Sequence, residues 1–372
     1  MKILHLVWNL IRGGTEGQCA RVAMELARRG EVHRVVVFRR EGYFLPAVEE
    51  VCGPVREIGI RGMARPSTLL ALARLASQLR REKFDALHTW DADAAIFGQF
   101  AAARAGVPLI TSRRDLGEIY PRYKLALMRR ADQRAVRVVA NAQAIAKAFT
   151  RQGIPGEKFR VLPNIVDVEE LDQLAGLPFP RAAELPSGER VVMVARLDPE
   201  KDVATFIYAA ELVLKQHPEA CFVIAGDGVQ RPDLEAMTRR HNLTCRLVFL
   251  GDTTDVPSLL ASCAIGVLTP SRNEGLSNTI LEYMAAGLPV VATDCGGNNE
   301  LVHQDQGGVI ANIGDSDALA RAMVDLLRHP EKRRSMGAYN RRRVHEHFRR
   351  EAVADAFSAV YREVIEQRRY GS

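Results

Sequence analysis

The stretch Ala264-Ile-Gly-Val-Leu-Thr-Pro-Ser-Arg-Asn-Glu-Gly-Leu-Ser-Asn-Thr-Ile-Leu-Glu282 combines a short apolar strand, a polar loop and the start of an apolar helix. The strand covers Ala264–Leu268, and the predicted helix runs from about Asn278 to Ala286. Glu274 lies in the loop, and Glu282 falls on the second turn of the helix. A strand followed by a loop and a helix is the repeating unit of parallel α/β sheets.

The loop also predicts a ligand site. The backbone N–H groups of Gly275, Leu276 and Ser277 precede the helix, where free donors and the helix dipole favour a phosphate. The carboxylates of Glu274 and Glu282 can accept hydrogen bonds from hydroxyl groups. A sugar nucleotide, with a phosphate between two sugars, fits this pattern. Two glutamates near a helix start also occur in proteins because they increase solubility and interact favourably with the helix dipole. The pair alone therefore does not establish a ligand site.

The beginning of the chain shows a similar unit. Lys2–Trp8 is predicted to be a buried parallel strand, and Gly13-Gly14-Thr-Glu-Gly17 forms a turn before a helix over Gln18–Arg29. A glycine turn at a helix start can again hold an anion. The spacing differs from Gly-x-Gly-x-x-Gly, so a dinucleotide fingerprint is not present.

Strands and helices alternate along the rest of the chain, which predicts an α/β fold with two doubly wound parallel sheets. The 372 residues suggest two domains. We expect the first domain over residues 1–165, a polar joint over 166–188 and the second domain over 189–350. A last amphipathic helix is predicted over Glu351–Gln367.

Composition indicates a soluble, cytoplasmic protein. Apolar residues make up 47% and charged residues 26% of the chain, as in globular domains. No apolar run reaches the roughly 18 residues of a membrane span, and the N-terminus lacks the pattern of a signal peptide. The six cysteines are scattered, which favours reduced thiols and no structural zinc.

The net charge of +6 is unevenly distributed. Residues 1–165 carry 28 Lys and Arg against 15 Asp and Glu, whereas residues 166–372 carry 23 against 30. A basic half favours an anionic partner such as a membrane surface or a lipid phosphate, although a solvated basic face is the alternative. Few aromatic residues accompany the basic cluster, which argues against nucleic acid. This cluster comprises Arg113, Arg114, Arg122, Lys124, Arg129, Arg130, Arg134 and Arg137.

Two strand ends in the first half are polar. His88 precedes Asp91-Ala-Asp93, a tripeptide pattern that can hold a metal ion but is common by chance. His88 is more often a packed or hydrogen-bonded residue than a catalyst. In the other strand end, Asp115 follows Arg113 and Arg114 and could be a charge-stabilised carboxylate or a structural ion-pair partner.

The second half contributes two cations near a strand end. Arg196 and Lys201 flank a turn with Pro199, and two cations on one loop suit a diphosphate, although a solvated turn is the alternative. The next strand ends in a glycine turn that contains Gly226.

Taken in order, these motifs resemble those of glycosyltransferase family 4 over nearly the whole chain, more specifically in the C-terminal half. The resemblance implies a retaining enzyme of the GT-B fold, with two Rossmann-like domains that face each other across a cleft. The motifs are Gly13-Gly-Thr-Glu16, Val194-Ala-Arg196-Leu-x-x-x-Lys201, Ala225-Gly-Asp-Gly228, Glu274-Gly-Leu-Ser-Asn-x-x-x-Glu282 and Ala285-Ala-Gly-Leu-Pro-Val-Val-Ala-Thr293.

The resemblance also implies the donor site. Arg196 and Lys201 would neutralise the diphosphate of a nucleoside diphosphate sugar, with UDP favoured, and Glu282 would bind the ribose. Glu274 would hold a hydroxyl of the transferred sugar, and Gly275, Leu276 and Ser277 would contact sugar and phosphate. Gly13, Gly14 and Gly226 would approach the donor closely. No metal or other cofactor is expected, and the last helix would pack on the N-terminal domain.

One departure concerns the acceptor side, where we expect His88, Arg113 and Arg114. Many family members carry a histidine where this chain has Arg113, and a permanently charged guanidinium cannot act as a base. Asp115 could take the polar role, or Arg113 could bind an anionic acceptor. The departure affects the site more than the reaction, since a departing phosphate can itself receive the acceptor's proton.

These features favour a glycosyltransferase that transfers a hexose to a hydroxyl group, with a lipid-linked acceptor in polysaccharide or lipopolysaccharide assembly. The enzyme would associate peripherally with the inner face of the cell membrane and would not bind nucleic acid. Two alternatives remain: a nucleotide-sugar-binding protein without turnover, and an epimerase of the same fold.

Overall fold

Two parallel β-sheets organise the structure, a computed structural model that describes residues 1–60 and 66–370. Each sheet belongs to a separate unit of the chain. Unit 1 comprises Met1–Ile165 and the C-terminal segment from Arg350, and unit 2 comprises Val166–Arg349.

The sheet of unit 1 has the strand order β3-β2-β1-β4-β5-β6-β7. Its strands are parallel and rich in buried Val, Ile and Leu, as expected for a sheet covered on both faces. In the described residues these strands are β1 Lys2–Val7, β2 Val32–Val37, β3 Arg56–Glu57, β4 Ala86–Thr89, β5 Leu109–Arg113, β6 Arg137–Ala140 and β7 Phe159–Val161.

The helices of unit 1 form two groups. The first two helices of the chain pack against each other, and the last helix, α15 (Arg350–Tyr370), packs against α1 and β4. Helices α3, α4 and α5 pack in a row. Right-handed crossovers put these groups on opposite faces of the sheet, because the strand order proceeds in opposite directions from its centre. The other helices in order are α1 Gly14–Arg28, α2 Leu45–Cys52, α3 Pro66–Arg81, α4 Ala92–Ala105, α5 Arg122–Arg134 and α6 Gln143–Arg151.

The sheet of unit 2 is also parallel, with the strand order β10-β9-β8-β11-β12-β13. Its order reverses between β8 and β11, which is the topological switch point where doubly wound sheets bind ligands. Among the described residues its strands are β8 Arg190–Val194, β9 Cys221–Ala225, β10 Leu247–Gly251, β11 Ile265–Leu268, β12 Val290–Thr293 and β13 Gly308–Ala311.

The helices of unit 2 include one inside the segment predicted as a joint, residues 166–188. That helix, α7, packs against α10 and α11 and therefore contributes to unit 2. The helices are α7 Val168–Ala175, α8 Val203–Leu214, α9 Arg231–Arg240, α10 Val256–Leu260, α11 Asn278–Ala285, α12 Asn298–Leu301, α13 Ser316–Arg328 and α14 Pro330–His347.

Helices α1 and α5 differ most from the sequence predictions, and the last helix, predicted over Glu351–Gln367, extends over Arg350–Tyr370. Helix α1 begins at Gly14 and not at Gln18, because the backbone of the glycine turn already follows the helical path. Helix α5 was not predicted, since four arginines and a lysine interrupt its apolar pattern. Its buried residues Met128, Ala131 and Asp132 supply a short inner face that packs on unit 1. None of the helices in the described part of the chain is both long and apolar enough to cross a bilayer.

A chain of hydrogen bonds crosses the interior of unit 1 beneath α15. The indole N–H of Trp90 donates to Nδ1 of His5 at 3.0 Å, so the neutral His5 ring carries its proton on Nε2. That N–H donates to Nδ1 of His33 at 2.8 Å, and His33 Nε2 donates to Glu31 at 3.2 Å. The hydroxyl of Ser358 on α15 donates to the other oxygen of Glu31 at 2.9 Å.

This chain requires neutral histidines. A proton added to Nδ1 of His5 would face the indole N–H of Trp90. Burial lowers the pKa of His5 well below 6.5 and that of His33 to about 4, although Glu31 partly opposes the shift at His33. Burial also lowers the pKa of His88, whose ring lies between the hydroxyls of Tyr361 and Ser112.

The buried histidines should therefore lower the stability of unit 1 in mild acid, against an opposite contribution from Asp91, whose pKa burial raises to about 7. In the unfolded chain these rings take up protons below about pH 6.5, whereas the folded His33 ring resists protonation until about pH 4, so its contribution to the free energy of unfolding falls as the pH decreases between these values. The folded His5 and His88 rings, whose pKa values are also lowered by burial, act in the same direction. Each buried histidine adds up to about 1.4 kcal/mol per pH unit. Urea unfolding followed by tryptophan fluorescence tests this, because both tryptophans, Trp8 and Trp90, lie in unit 1.

The substitution His33→Gln should flatten the pH dependence of the unfolding free energy. His347→Gln, at an exposed ring in unit 2, provides the control and should leave it unchanged. An identical pH dependence of the unfolding free energy in His33→Gln and the wild type would contradict the argument.

Candidate functional site

Two loops flank the switch point of unit 2. One follows β8 and carries Arg196 and Lys201, and the other follows β11 and carries Glu274 and Ser277. Because parallel strands end at the same edge of a sheet, the loops after β8 and β11 lie side by side.

The centre of this edge is an ion pair between Lys201 and Glu274. The ammonium Nζ lies 2.6 Å from Oε2 of Glu274, although 73 residues separate the two in sequence. The side chains are only 20% and 10% exposed, so the pair is largely sheltered from water. In such a setting charge–charge interactions are stronger than on an open surface. The structure thus brings together two of the residues that the sequence predicted for the site.

Lys201 is held by the backbone of its own turn. It ends a 3-10 turn, Pro199–Lys201, and the next residue, Asp202, has a left-handed conformation with φ of 45°. The hydroxyl of Thr269, directly after β11, lies 2.9 Å from the carbonyl oxygen of Asp202. The hydroxyl of Thr205 donates to the carboxylate of Asp202 at 2.6 Å. The two loops are therefore fixed to each other.

Glu274 is held by the loop that follows β12. The N–H of Gly297 donates to the carbonyl of Gly275 at 2.9 Å. Gly296 has a φ of +59°, and a Cβ at this position would lie 1.9 Å from the carbonyl oxygen of Glu274. The close approach is possible only because Gly296 has no side chain. The hydroxyl of Thr293 donates to the carbonyl of Pro270 at 2.7 Å, which joins the same two loops.

Tyr283 on α11 connects the two strands, β8 and β11, that flank the switch point. Its hydroxyl accepts the N–H of Val194 at 2.7 Å and donates to the carbonyl of Val267 at 3.2 Å. The ring is fully buried, and burial raises its pKa. Tyr283 therefore couples α11 to both strands, a role that no sequence motif indicated.

Arg196 does not contact Glu274 in this structure. Its guanidinium pairs with Asp198 and, at 3.0 Å, with Glu200, and its side chain is 68% exposed. Two carboxylates of its own loop hold it, so a bound diphosphate would have to draw it away from them. The carboxylates of Asp198 and Glu200 are only 18% and 17% exposed, so this movement would break two partly sheltered ion pairs.

Gly226 has a structural reason to be glycine. Its φ is +133°, and a Cβ would lie 2.0 Å from the carbonyl oxygen of Ala195. The loop after β9 thereby packs directly on the loop that carries Arg196. Gly226 supports the site, and its predicted contact with the donor stays a prediction.

The start of α11 offers backbone donors. Ser277 is the N-cap, and its hydroxyl accepts the N–H of Ile280 at 3.3 Å. The N–H groups of Gly275 and Ser277 make no hydrogen bond with the residues that the structure describes. Leu276, by contrast, is an apolar side chain that is 6% exposed. This arrangement can bind an anion through the backbone.

Glu282 lies one helical turn further along α11, half-buried beside a cavity of about 70 Å³. The cavity is mostly apolar and is lined by α7, α10 and α11, with Leu171, Val256 and Leu260 among its residues. Arg341 also lines it and pairs with Asp172 at 2.7 Å. Glu282 is therefore placed next to a small apolar cavity, and its predicted contact with a ribose stays a prediction.

In unit 1, Gly13 is the N-cap of α1 and Gly14 its first residue. The carboxylate of Glu16 folds back over Gly13, where a Cβ would lie 2.1 Å from Oε2. An anion would meet this carboxylate when it approaches Gly13 from that side. The role predicted for Gly13 and Gly14 in donor binding stays a prediction.

Two predicted acceptor-side residues lie in the interior. His88 is fully buried. Arg113 is 2% exposed and forms a two-pronged ion pair with Asp132, at 2.8 Å for each contact. The carboxylate of Asp132 also accepts the hydroxyl of Thr111 at 2.7 Å. The polar groups of His88 and Arg113 are thus bound to internal partners, and the acceptor-side role predicted for both residues stays a prediction.

Arg114 and Asp115 remain at the carboxyl edge of the unit 1 sheet. Arg114 lies over the ring of Trp90 at 5.5 Å and donates to the side chain of Asn164. Burial lowers the pKa of Arg114 to about 10. Asn141 also donates to Asn164, at 3.3 Å, and its own oxygen has no partner among the described residues. Asn141 and Asn164 each follow a strand of the unit 1 sheet. Their position at strand ends could have marked them as candidate site residues, but they belong to none of the sequence motifs.

Asp115 is held by its own loop. Its carboxylate accepts the N–H of Gly117 at 2.8 Å and the hydroxyl of Tyr120 at 3.1 Å. Burial is the largest influence and raises the pKa of Asp115, while Arg113 and Lys124 oppose it. Its proposed polar role at the site stays a prediction.

The Asp91-x-Asp93 pattern has a structural use. Asp91 caps α4 by accepting the N–H of Ala94 at 2.8 Å, and it also accepts the N–H of Trp8 at 2.7 Å. Burial raises the pKa of Asp91 to about 7. Asp93 pairs with Lys124 at 2.9 Å. Among the residues that the structure describes, no cluster of His, Cys, Asp and Glu has the arrangement of a metal site.

Comparison with known proteins gives two family matches. Residues 12–170 match the family described as Glycosyltransferase Family 4, and residues 188–329 match Glycosyl transferases group 1. The chain belongs to glycosyltransferase family 4. It is accordingly a transferase, and the resemblance seen in its motifs is confirmed.

Two relatives span most of the chain. One is the Escherichia coli UDP-Gal:alpha-D-GlcNAc-diphosphoundecaprenol alpha-1,3-galactosyltransferase, 27% identical over 75% of this chain and 76% of that protein. The other is the lipopolysaccharide core biosynthesis glycosyltransferase LpsE of Rhizobium meliloti (strain 1021), 26% identical over 96% and 98%.

A solved structure shows the same fold. The Anabaena HepE protein in complex with UDP superposes with a TM-score of 0.86 at 23% identity, over 98% of this chain and all of that one. The predicted GT-B fold of two doubly wound parallel-sheet domains is thereby confirmed.

The close contact at Gly296 gives a direct test of the site. Gly296→Ala should push the backbone of Glu274 away from Lys201 and lower transferase activity roughly a hundredfold, because displacing reacting groups by about 1 Å has that effect. Activity of the purified variant is measured together with its thermal midpoint.

The matched control is Gly314→Ala. Gly314 has a φ of +78°, but a Cβ there would meet nothing within 4 Å. It shares the left-handed backbone strain of Gly296→Ala, roughly 1–2 kcal/mol, without the collision. Equal activity of the two variants would refute the positioning role of Gly296.

Proposed function

We propose that this family 4 glycosyltransferase transfers a hexose from a UDP-sugar to a hydroxyl group, with retention of the anomeric configuration. The observation that carries the proposal is the sheltered ion pair of Lys201 and Glu274 at the switch point, next to the unpaired N–H groups of Gly275 and Ser277. At this edge of the unit 2 sheet, the cation and the backbone N–H groups suit a diphosphate, and the carboxylate suits the hydroxyl groups of an attached sugar.

The roles follow from charge. The ammonium of Lys201 neutralises the diphosphate, and Arg196 joins it when it leaves Asp198 and Glu200. The carboxylate of Glu274 then exchanges its lysine for a hydroxyl of the transferred sugar. Fixed charges and N–H groups stabilise the negative charge that grows on the departing phosphate, which is commonly the largest contribution to catalysis.

Retention follows from attack on the face that the phosphate leaves. The bond between the anomeric carbon and the phosphate oxygen breaks, and the acceptor oxygen forms its bond to the same carbon on the same face. The acceptor's proton passes to the departing phosphate, so no protein base is required. This suits a chain in which Arg113, where many family members have histidine, is a buried ion-pair partner.

The acceptor we propose is lipid-linked, in cell-surface polysaccharide or lipopolysaccharide assembly, with the enzyme on the cytoplasmic face of the membrane. Two relatives support this class: the E. coli protein is named for a diphosphoundecaprenol substrate and the Rhizobium protein for lipopolysaccharide core synthesis. The E. coli name also specifies UDP-Gal, which supports a UDP-sugar donor.

Lys201→Ala and Glu274→Gln test the assignment. Each should lower the rate of hexose transfer from the UDP-sugar at least tenfold, since contacts to a developing diphosphate contribute several kcal/mol. The rate is measured with the donor that gives the highest turnover in a panel of UDP-sugars.

The control pair is Lys215→Ala and Glu211→Gln. These residues form an exposed ion pair of 3.0 Å in the same unit, away from the sheet edge. Their variants should retain wild-type rates. A loss below tenfold in either site variant would remove that residue from the proposed machinery.

We further propose that diphosphate binding needs no metal, because Lys201 and Arg196 supply the positive charge. UDP should raise the thermal unfolding midpoint equally in EDTA and in Mg²⁺, as expected for a ligand that binds only the folded state. UMP, with one phosphate fewer, should have a much smaller effect. Stabilisation by UDP only with Mg²⁺ would contradict metal independence.

A further inference from the structure

The outer row of helices in unit 1, α3, α4 and α5, has an unusual charge. These helices carry nine Lys and Arg and two Asp. Both aspartates are already paired, Asp93 with Lys124 at 2.9 Å and Asp132 with buried Arg113 at 2.8 Å. The helices on the opposite face, α1, α2 and α15, carry six basic and eight acidic residues. The basic character of residues 1–165 is therefore concentrated on one face.

The same row exposes large apolar side chains. Leu69 and Leu70 on α3 are 73% and 54% exposed, Phe100 on α4 is 43% exposed, and Tyr123 and Leu127 on α5 are 71% and 39% exposed. Five large apolar side chains are thus exposed on three helices that pack in a row.

On α5 the two properties share one side of the helix. Tyr123, Leu127, Arg130 and Arg134 follow the spacing of residues that align along a helix. The guanidinium of Arg134 lies 5.8 Å from the ring of Phe100, which connects this side to α4. The neighbouring Arg122 is exposed. Within the described residues, neither Arg122 nor Arg130 forms an ion pair, so their charges are available to a partner.

We propose that the outer face of α3–α5 docks unit 1 onto an anionic lipid bilayer. Arginines and an aromatic ring beside exposed leucines are the composition of helices that lie in a membrane interface, where apolar groups enter the acyl boundary and cations meet the lipid phosphates. Nucleic acid is less suited, since Leu69, Leu70 and Leu127 offer no stacking surface to bases.

The proposal corrects the basic cluster read from the sequence. Arg113 belongs to the interior, and Arg137 is occupied by Glu363 on α15. The docking face instead adds Arg80 and Arg104, whose contact at 3.3 Å joins α3 to α4. The docking face itself is defined by the charge and exposure of its residues. Only its biological purpose rests on the proposed function, in which the acceptor is linked to a lipid.

Sedimentation with vesicles tests the docking face. The wild-type protein should bind vesicles of phosphatidylcholine with phosphatidylglycerol far more strongly than phosphatidylcholine alone, and high salt should weaken the binding. Arg122→Gln with Arg130→Gln should reduce the affinity about 25-fold, since each arginine near an anionic surface contributes about fivefold. Tyr123→Ser with Leu127→Ser should also reduce it, and binding by this variant should remain salt-sensitive.

The controls are Arg28→Gln, at an exposed arginine on the opposite face of the unit, and Ile313→Ser, at an exposed side chain in unit 2. Both should bind vesicles like the wild type. Equal losses in controls and variants, no dependence on phosphatidylglycerol, or tighter binding to a DNA oligonucleotide than to the vesicles would overturn the proposal.

A separate readout distinguishes this proposal from the proposed function. Hydrolysis of the UDP-sugar without acceptor should be the same in the docking variants and the wild type, because none of the substituted residues belongs to the donor site. Vesicle binding with no hydrolysis would reject the enzymatic proposal alone. Hydrolysis with no vesicle binding would reject the docking face alone.

Discussion

The ion pair of Lys201 and Glu274 depends on a reversal of strand order. In unit 2 the sheet continues in one direction from β8 to β10 and in the other from β11 to β13, so the loops after β8 and β11 open toward the same space. The side chains of Lys201 and Glu274 are only 20% and 10% exposed, which strengthens the attraction between them. A ligand with a negative group for the lysine and hydrogen-bond donors for the glutamate could still separate the two charges. A diphosphate would replace the carboxylate beside the lysine, and sugar hydroxyls would replace the ammonium beside the glutamate.

The rest of unit 2 keeps these two side chains in register. Tyr283 ties α11 to β8 and β11, Thr269 fixes the backbone that carries Lys201, and Gly296 lets a third loop support Glu274 from behind. None of these residues needs to touch a substrate. In the proposed reaction they would reduce the reorganisation that otherwise opposes stabilisation of a developing charge.

Unit 1 uses its polar residues differently. His5, His33 and His88 are bound to one another or to nearby hydroxyls and indole beneath α15, and Arg113 is paired with Asp132. Buried polar groups of this kind must be fully paired to be tolerated, and they fix one arrangement of the core. The arginines without buried partners lie on the surface of unit 1, where helices α3–α5 also expose leucines and aromatic rings.

The sequence by itself determined the α/β class, the two sheets and the loops that carry Arg196, Lys201, Glu274 and Ser277, because strand periodicity and glycine turns are local signals. It could not separate a residue at the sheet edge from one in the interior, so His88 and Arg113 were expected beside an acceptor and are enclosed. Nor could it assign Tyr283 or Gly296, whose roles lie in contacts with distant strands and loops. Only the tertiary structure decided these points, since burial and pairing arise from residues far apart in the chain, such as the 73 positions between Lys201 and Glu274.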